Sequence, residues 1–385
     1  MSTKNILFVS HQASHTGAPL LLINLAKLLT EQSADYKISF MIKEPPYGLK
    51  EQLKQFPTTY ASYEANSFRW VLYKIGSKVP SLSFLKKFRF AERRIARALK
   101  GIDIIVFNTM SNGELVDIFK KNFKGPVFSY VHELRTSSLN VSSKAQMEIS
   151  MEYSDRIFVP SYAVREFLMT DFGVKENLID FLPYYIPAGE ASTSQKEEKR
   201  AGKFIVGAAG TTDWRKGADI FIQVAARLFK KRPDANIEFQ WMGASTTYGG
   251  LRELLHDVEK AGLTDKVFFR MSSEDMPAYY RGLDVFLLTS REDPYPLVVL
   301  EAADASLPAI CFERGGGMPE FVHRSSGGTC VPYLDTDAMA DAILFYHDNE
   351  SIRVQHGKAA NAELKKAHQD KKGITQIFKQ IIEKV

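Results

Sequence analysis

Two acids and two bases in the second half of the chain have the types and spacing to accept hydrogen bonds from hydroxyls and to hold an anion. The run SREDPYPLVVLEA, Ser290 to Ala302, follows the apolar stretch Val285–Thr289, and Pro296 suits the first turn of a helix that begins between Asp293 and Glu301. One acid then stands in the loop ahead of the helix and the other a turn or more inside it. The first-turn N–H groups of Leu297 and Val298 are placed to receive phosphate oxygens, and Glu301 to accept hydrogen bonds from sugar hydroxyls. The plainer alternative makes Asp293 a helix-entry residue and Glu301 a solvated one, but the context LVVLEAADASLPAI is too apolar to suit a solvated face. Upstream, GAAGTTDWRKG runs from Gly207 to Gly217 between a strand pattern and a helix pattern. Its glycines, Gly210 among them, let backbone approach a ligand, and Arg215 and Lys216 put two cations beside a helix N-terminus that already favours anions. A diphosphate fits that chemistry; an ordinary turn with two solvated bases is the competing reading. The spacing is neither the dinucleotide G-x-G-x-x-G nor a Walker loop.

The first half offers histidines at strand ends. Ile6–Ser10 runs into His11-Gln12-Ala13-Ser14-His15-Thr16-Gly17, a small-residue loop before a helix, and Gly17 allows close approach of a ligand. His11 and His15 lack a convincing metal spacing. FSYVHE, Phe128 to Glu133, places His132 at the end of an apolar strand, where imidazole can donate to or accept from a sugar hydroxyl. Glu133 either orients it or meets an acceptor, and Asn108 and Thr109 end another strand. A histidine satisfied within the core is the alternative for His132. Asp335-Thr-Asp337 has the look of a metal motif but opens a helix pattern, so capping is expected there. No other ligand cluster accompanies it, and neither a metal nor another cofactor is expected.

SREDPYPLVVLEAADASLPAICF together with GTTDWRKGADIF resembles the family 4 glycosyltransferases, retaining nucleotide-sugar enzymes of the GT-B fold. Their signature is a Glu, seven residues, then a second Glu; here Asp293 and Glu301 hold those positions. The resemblance implies that Glu301 binds the nucleotide ribose, that Asp293 and His132 approach the donor sugar, and that Arg215 and Lys216 hold the diphosphate. Gly17, Gly210, Glu292, Tyr295, Leu297 and Val298 complete the implied donor-binding set; His11, Glu133 and Asn108 face the acceptor. Asp293 is a methylene shorter than Glu, so Glu292 is an alternative claimant for its role. Arg314 to Glu320, RGGGMPE, is similar to the family's GG-x-P-E element, and Phe269 to Ser273 falls where the family reads the base. The implied activity is transfer of a sugar from a nucleoside-diphosphate sugar to an acceptor hydroxyl, in glycan or glycolipid assembly. A nucleotide-sugar epimerase or hydrolase on the same fold, or a non-catalytic sugar-nucleotide-binding protein, stays open.

These residues need elements to carry them, and the chain supplies an α/β alternation twice. Strands are expected near Ile6–Ser10, Ile38–Ile42, Ile104–Asn108, Val127–Val131, Arg156–Val159 and Ile179–Leu182, then Phe204–Ala209, Ile237–Met242, Val267–Arg270, Val285–Thr289, Ala309–Glu313 and Gly328–Val331, with helical segments between. The fold class is therefore α/β, two Rossmann-like domains facing across a cleft. Residues 1–187 form the acceptor-binding domain and residues 203–370 the nucleotide-sugar domain. Residues 371–385, a helix set off by Gly373, return to the first. Pro187–Lys203, small and polar, is the expected linker and hinge.

The 385 residues, 45% hydrophobic and 25% charged, suffice for two ordinary cores and exclude disorder, collagen and small disulfide scaffolds. No run has the length and apolarity of a membrane span, and the start is not a signal peptide, so a cytoplasmic protein is expected. Cys311 and Cys330 cannot by themselves build a disulfide framework or a zinc cage and read as reduced, buried thiols. The net charge of +5 is unevenly placed. Residues 86–100 hold seven bases against Glu92, with Phe88, Ala91, Ile95, Ala98 and Leu99 at helical spacing. An amphipathic basic helix there would cover a sheet and touch an anionic membrane surface. No nucleic-acid motif accompanies the charge, so nucleic acid is not an expected partner.

Overall fold

The computed structural model describes residues 3–45, 47–63, 67–188, 202–246, 250–271 and 275–385. Of the expected linker, residues 189–201 lie outside the described residues, as do Ser272 and Ser273 of the expected base-reading segment. The chain divides into two compact units. One comprises Met1–Pro160, Arg165–Tyr185 and Lys371–Val385; the other comprises Ser161–Val164 and Ile186–Asp370.

The first unit holds the strands β1 (Lys4–Ser10), β2 (Tyr36–Ile42), β3 (Thr58–Tyr60), β4 (Ile104–Asn108), β5 (Val127–Tyr130), β6 (Arg156–Val159) and β7 (Ile179–Phe181). They form one parallel sheet in the order β3-β2-β1-β4-β5-β6-β7. All five residues of β4 and all four of β5 are buried, the continuous apolar pattern of strands covered on both faces. Leu7, Val9, Ile105, Phe107 and Phe119 lie in the core on one face.

The second unit repeats the plan with β8 (Phe204–Ala209), β9 (Ile237–Ala244), β10 (Val267–Met271), β11 (Val285–Leu288), β12 (Ala309–Phe312) and β13 (Gly328–Val331). Its parallel order is β10-β9-β8-β11-β12-β13. Phe221, Phe239 and Trp241 anchor its core, with Phe221 edge-on to both of the others at 5.4 Å. In each sheet the order reverses direction beside the first strand, between β1 and β4 and between β8 and β11. Open α/β sheets bind ligands at the carboxyl ends of strands at such a switch point.

Three expectations about elements need correction. Residues 86–100 are not one helix: a 3-10 stretch spans Pro80–Phe88 and a separate helix Glu92–Ala98. Between them the chain is drawn toward the sheet edge, where Phe90 bridges Ser62 and Ala91 N donates to Ala61 O at 2.8 Å. The turns of a continuous helix cannot coexist with that pairing. Second, Gly373 does not set off the last helix, which spans Lys371–Ile382 and contains it; the break falls at Gln369–Asp370, where Gln369 Nε2 donates to Asp304 Oδ1. Third, β3 and the helix Phe68–Lys78 were not anticipated. That strand has three half-buried residues, and that helix buries only Gly76, so neither leaves a strong apolar period.

Candidate functional site

In the second unit the candidate residues converge because the loops after β8 and β11 flank the switch point. Lys216 Nζ donates to Asp293 Oδ2 at 2.5 Å, and Arg215 Nη1 lies 3.7 Å from the same oxygen while donating to Glu292 O at 3.0 Å. Both cations are thus seated against the acidic loop by bonds across about eighty residues of sequence. Gly217 makes this approach possible: its φ is +72°, and a Cβ there would stand 2.1 Å from Thr289 O. Thr212, in the loop ahead of the two bases, buries a hydroxyl that finds no partner among the described residues, a donor that sequence reading overlooked.

Asp293 is buried, and its backbone is gripped by the glycine loop. Its N–H donates to Gly315 O at 2.8 Å, and Gly317 N donates to Asp293 O at 3.1 Å. Gly316, at φ +125°, would bring a Cβ within 1.8 Å of Asp293 O. The glycines after β12 therefore serve close backbone contact with the first acid. Glu320 beyond them accepts hydrogen bonds from Tyr162 N and Ala163 N at 3.0 and 3.1 Å.

Glu301 sits in the first two turns of the helix Leu297–Asp304, whose first residues, Leu297 and Val298, are half-buried. Tyr280 OH donates to its Oε2 at 2.7 Å, and among the described residues no side chain bonds Oε1. Burial raises the Glu301 carboxyl above its usual range, and the Tyr280 hydrogen bond opposes that rise. Tyr280 was not foreseen, because a tyrosine in a sequence carries no sign of what its hydroxyl meets. Tyr295 is buried; its hydroxyl lies 3.2 Å from His368 Nε2 and 3.5 Å from Arg324 Nη2, and its ring lies 5.5 Å from that histidine. Gly210 follows β8, its carbonyl accepting from Trp241 Nε1 at 2.8 Å.

The first unit gathers its candidates in the same topological place, after β1, β4 and β5. His132 Nε2 lies 2.8 Å from Asn108 Oδ1, and His132 Nδ1 lies 3.0 Å from Tyr184 OH. Asn108 Nδ2 is committed to Ala18 O at 3.0 Å, so its oxygen faces the imidazole and Nε2 carries the ring proton. Tyr184 then donates to Nδ1. Burial, with a smaller push from His11, lowers the His132 pKa to about 3, and burial with Lys43 lowers that of His11 to about 4. Both rings are neutral at physiological pH.

Glu133 is enclosed, accepting from His132 N at 2.9 Å and Met110 N at 3.4 Å; burial raises its pKa to about 7 against the pull of these bonds. It orients the histidine's backbone. Thr109 adopts φ +74°, costly for a β-branched residue, and lies 3.4 Å through Oγ1 from His11 Nδ1. Lys43, buried at the end of β2, donates to Ser111 O at 2.6 Å and pairs with Glu114 at 2.8 Å; Arg89 joins Glu114 to Glu44. This charged cluster was missed, since its members are scattered over seventy residues. Gly17, exposed, opens the helix Gly17–Gln32.

Asp335 accepts from Ala338 N at 2.8 Å as the cap of Thr336–Asp348, as its sequence context implies. Among the described residues one group has the donors to hold a metal ion, Glu313, His323 and Cys330, and it includes none of the candidates above. No helix among the described residues is long and apolar enough to cross a membrane.

Residues 203–349 match the family described as Glycosyl transferases group 1. The chain is 27% identical over 159 residues, 41% of its own length and 45% of the relative's, to the lipopolysaccharide core biosynthesis mannosyltransferase LpcC of Rhizobium leguminosarum bv. viciae. It is 28% identical over 193 residues, 46% of its length and 42% of the relative's, to a mannosylfructose-phosphate synthase of Agrobacterium fabrum. It thus spans about half the length of the curated relatives it matches. In fold it is similar to Anabaena Alr3699/HepE solved in complex with UDP, with a TM-score of 0.78 and 17% identity over 99% of this chain and 100% of that one. The same protein solved with UDP-glucose gives a TM-score of 0.76 at 18% identity, over 99% of this chain and 98% of that one.

Proposed function

We propose that this chain, which has the GT-B fold and is related to the group 1 glycosyltransferases, moves a sugar from a nucleoside-diphosphate sugar to an acceptor hydroxyl with retention at the anomeric carbon. The observation that carries the reading is the seating of Arg215 and Lys216 against Asp293 on the two loops that flank the switch point of the second sheet. The second unit binds the donor and the first the acceptor. As the bond from the anomeric carbon to the diphosphate breaks, Lys216 and Arg215 hold the negative charge that develops on the leaving oxygen, a fixed electrostatic role. The acceptor oxygen bonds to that carbon, and its proton passes to the departing diphosphate. Glu301, steadied by Tyr280, takes the ribose hydroxyls, and the first-turn amides of Leu297 and Val298 meet phosphate oxygens. Asp293 positions the sugar. His132, its ring held by Asn108 and Tyr184, acts as a positioning residue.

The acceptor belongs to glycan or glycolipid assembly, at a cytoplasmic membrane face. Residues 65–91 hold six bases and no acid. Within them Phe68, Val71 and Ile75 are exposed on one helix, with Phe84 beyond. Apolar side chains among cations suit the boundary of an anionic bilayer. This stretch, rather than a helix over 86–100, is the proposed contact.

A panel of UDP-, GDP-, ADP- and dTDP-sugars, screened first by thermal shift and then by product analysis with saccharide and lipid-linked acceptors, tests the reading. The expected result is acceptor-dependent release of the nucleoside diphosphate and an α-configured product from an α-configured donor. Free sugar or an epimer formed equally without acceptor would replace transfer by hydrolysis or epimerisation; donor affinity with no turnover across the panel would make the protein a binding module.

A further inference from the structure

We propose that Cys330, His323 and Glu313 form a binding site for a single borderline-soft divalent cation of the zinc type, separate from the sugar-transfer residues. In the parallel pair β12–β13, Cys311 stands in register with Cys330, so both thiols leave the sheet on one face, and Sγ to Sγ is 3.6 Å. Glu313, two positions beyond Cys311, continues on that face. The helix Met318–Ser325 supplies His323, whose Nε2 is 2.9 Å from Glu313 Oε1. The ligand atoms of Glu313, His323 and Cys330 all lie within 4.8 Å of one another. A tetrahedral zinc, with bonds of about 2.0–2.3 Å, needs its ligand atoms roughly 3.3–3.7 Å apart. His323 and Glu313 have side chains 62% and 42% exposed, which leaves both room to reorient toward a shared ion.

The donor set distinguishes this cluster from an ordinary surface ion pair. Thiolate, imidazole and carboxylate are the three zinc ligand classes, and three protein ligands leave a fourth position for water. Cys311, buried behind Cys330 within hydrogen-bonding distance for sulfur, is placed to orient the liganding thiolate. Glu313 also immediately precedes the loop whose Gly315 and Gly317 grip the Asp293 backbone, so a bound cation ties that loop's base to the helix beyond it.

The test is titration of the reduced, chelator-treated 385-residue chain with Co2+ and then Zn2+. One cobalt per chain is expected, with a thiolate-to-cobalt charge-transfer band and the strong visible absorption of tetrahedral cobalt, both displaced by zinc. Cys330→Ser should abolish the charge-transfer band, and His323→Ala and Glu313→Gln should each weaken zinc binding by roughly 10-fold or more. His323 and Glu313 are exposed enough that these variants should keep the metal-free unfolding midpoint, which separates ligand loss from misfolding. Absence of saturable binding overturns the proposal. So does cobalt absorption unchanged in both His323→Ala and Glu313→Gln, which would mark a lone thiol adduct.

Discussion

Lys216 Nζ stands 2.5 Å from Asp293 Oδ2, joining the loop after β8 to the loop after β11. The pair is largely withdrawn from water, the two side chains being 15% and 7% exposed. Its members are therefore interdependent: removing Asp293 leaves Lys216 without its counter-charge, and removing Lys216 leaves Asp293 with the more distant Arg215 at 3.7 Å. Lys216→Met should lower kcat by roughly 100-fold or more through loss of charge stabilisation at the leaving diphosphate. Asp293→Asn, which keeps the shape and a hydrogen-bond acceptor, should impair turnover while leaving nucleoside-diphosphate affinity within a few-fold of wild type. Single-turnover kinetics alongside diphosphate titration separates the two effects; equal turnover in Lys216→Met and wild type would remove this lysine from the reaction.

Tyr280 and Glu301 give a test of binding rather than chemistry. The Tyr280 hydroxyl holds one carboxylate oxygen at 2.7 Å, so Tyr280→Phe frees Glu301 to rotate and leaves the buried carboxyl short of a donor. The expected outcome is a rise in donor KM of about 3- to 10-fold, from the loss of about 1 kcal/mol of hydrogen bonding, with kcat little changed. Glu301→Gln should raise KM further. Steady-state kinetics on both variants decides it; a fall in kcat alone would place Glu301 in the chemical step instead.

The histidines of the first unit make a pH prediction. His11 and His132 have folded-state pKa values lowered to about 4 and about 3, while the unfolded chain titrates near the ordinary value of 6.5. Below 6.5 the unfolded state takes up protons that the folded state refuses, so stability falls as pH drops from 6.5 towards 4 and below. Glu133, raised to about 7 from 4.5, works oppositely: the folded state keeps a proton that the unfolded state loses, and stability falls as pH rises from 4.5 to 7. Urea unfolding from pH 4 to 8 should show His132→Asn flattening the acid-side loss and Glu133→Gln flattening the loss between 4.5 and 7.

Gly316 offers a structural control on the site. A methyl group there would stand 1.8 Å from Asp293 O, against backbone that cannot rotate aside, at a φ of +125°. Gly316→Ala should therefore cost about 2 kcal/mol or more and displace the Asp293 loop. Thermal unfolding and donor turnover should fall together. A variant as stable and active as wild type would show that the loop tolerates a shifted Asp293.

What was legible in the sequence follows a physical division. The strands beside the switch points were readable because strands buried on both faces are continuous apolar runs, as in Ile104–Asn108 and Val285–Leu288. Parallel layers with candidate motifs after the strands then made the strand ends the place where ligand chemistry is expected. Partners across the fold were not readable. Nothing near Glu301 points to Tyr280, nothing near His132 points to Tyr184, and the Lys43–Glu114–Arg89 cluster is assembled only by the order β2-β1-β4. The basic segment was misread for the same reason. Helical spacing of its apolar residues is a local signal, whereas the pairing of Phe90 and Ala91 with Ser62 and Ala61 that breaks the helix is not.

That break also bears on the proposed membrane contact. Arg94 Nη2 donates to Ser62 O at 2.6 Å and Arg89 is held between Glu44 and Glu114, so two of the bases in 86–100 are engaged within the protein. Phe68 and Phe84, by contrast, are 77% and 62% exposed in a stretch without acids. A bilayer would bury those rings, each contributing roughly 1–2 kcal/mol, and nearby lysines would add about 1 kcal/mol apiece on an anionic surface. Flotation with vesicles of anionic and of neutral lipid should show binding to the first only, weakened about 10-fold or more in the Phe68→Ser/Phe84→Ser double variant. Arg94→Ala should bind like wild type, because its guanidinium is committed to backbone. Equal binding to neutral vesicles, or full binding by the double variant, would locate membrane contact elsewhere or nowhere on this surface.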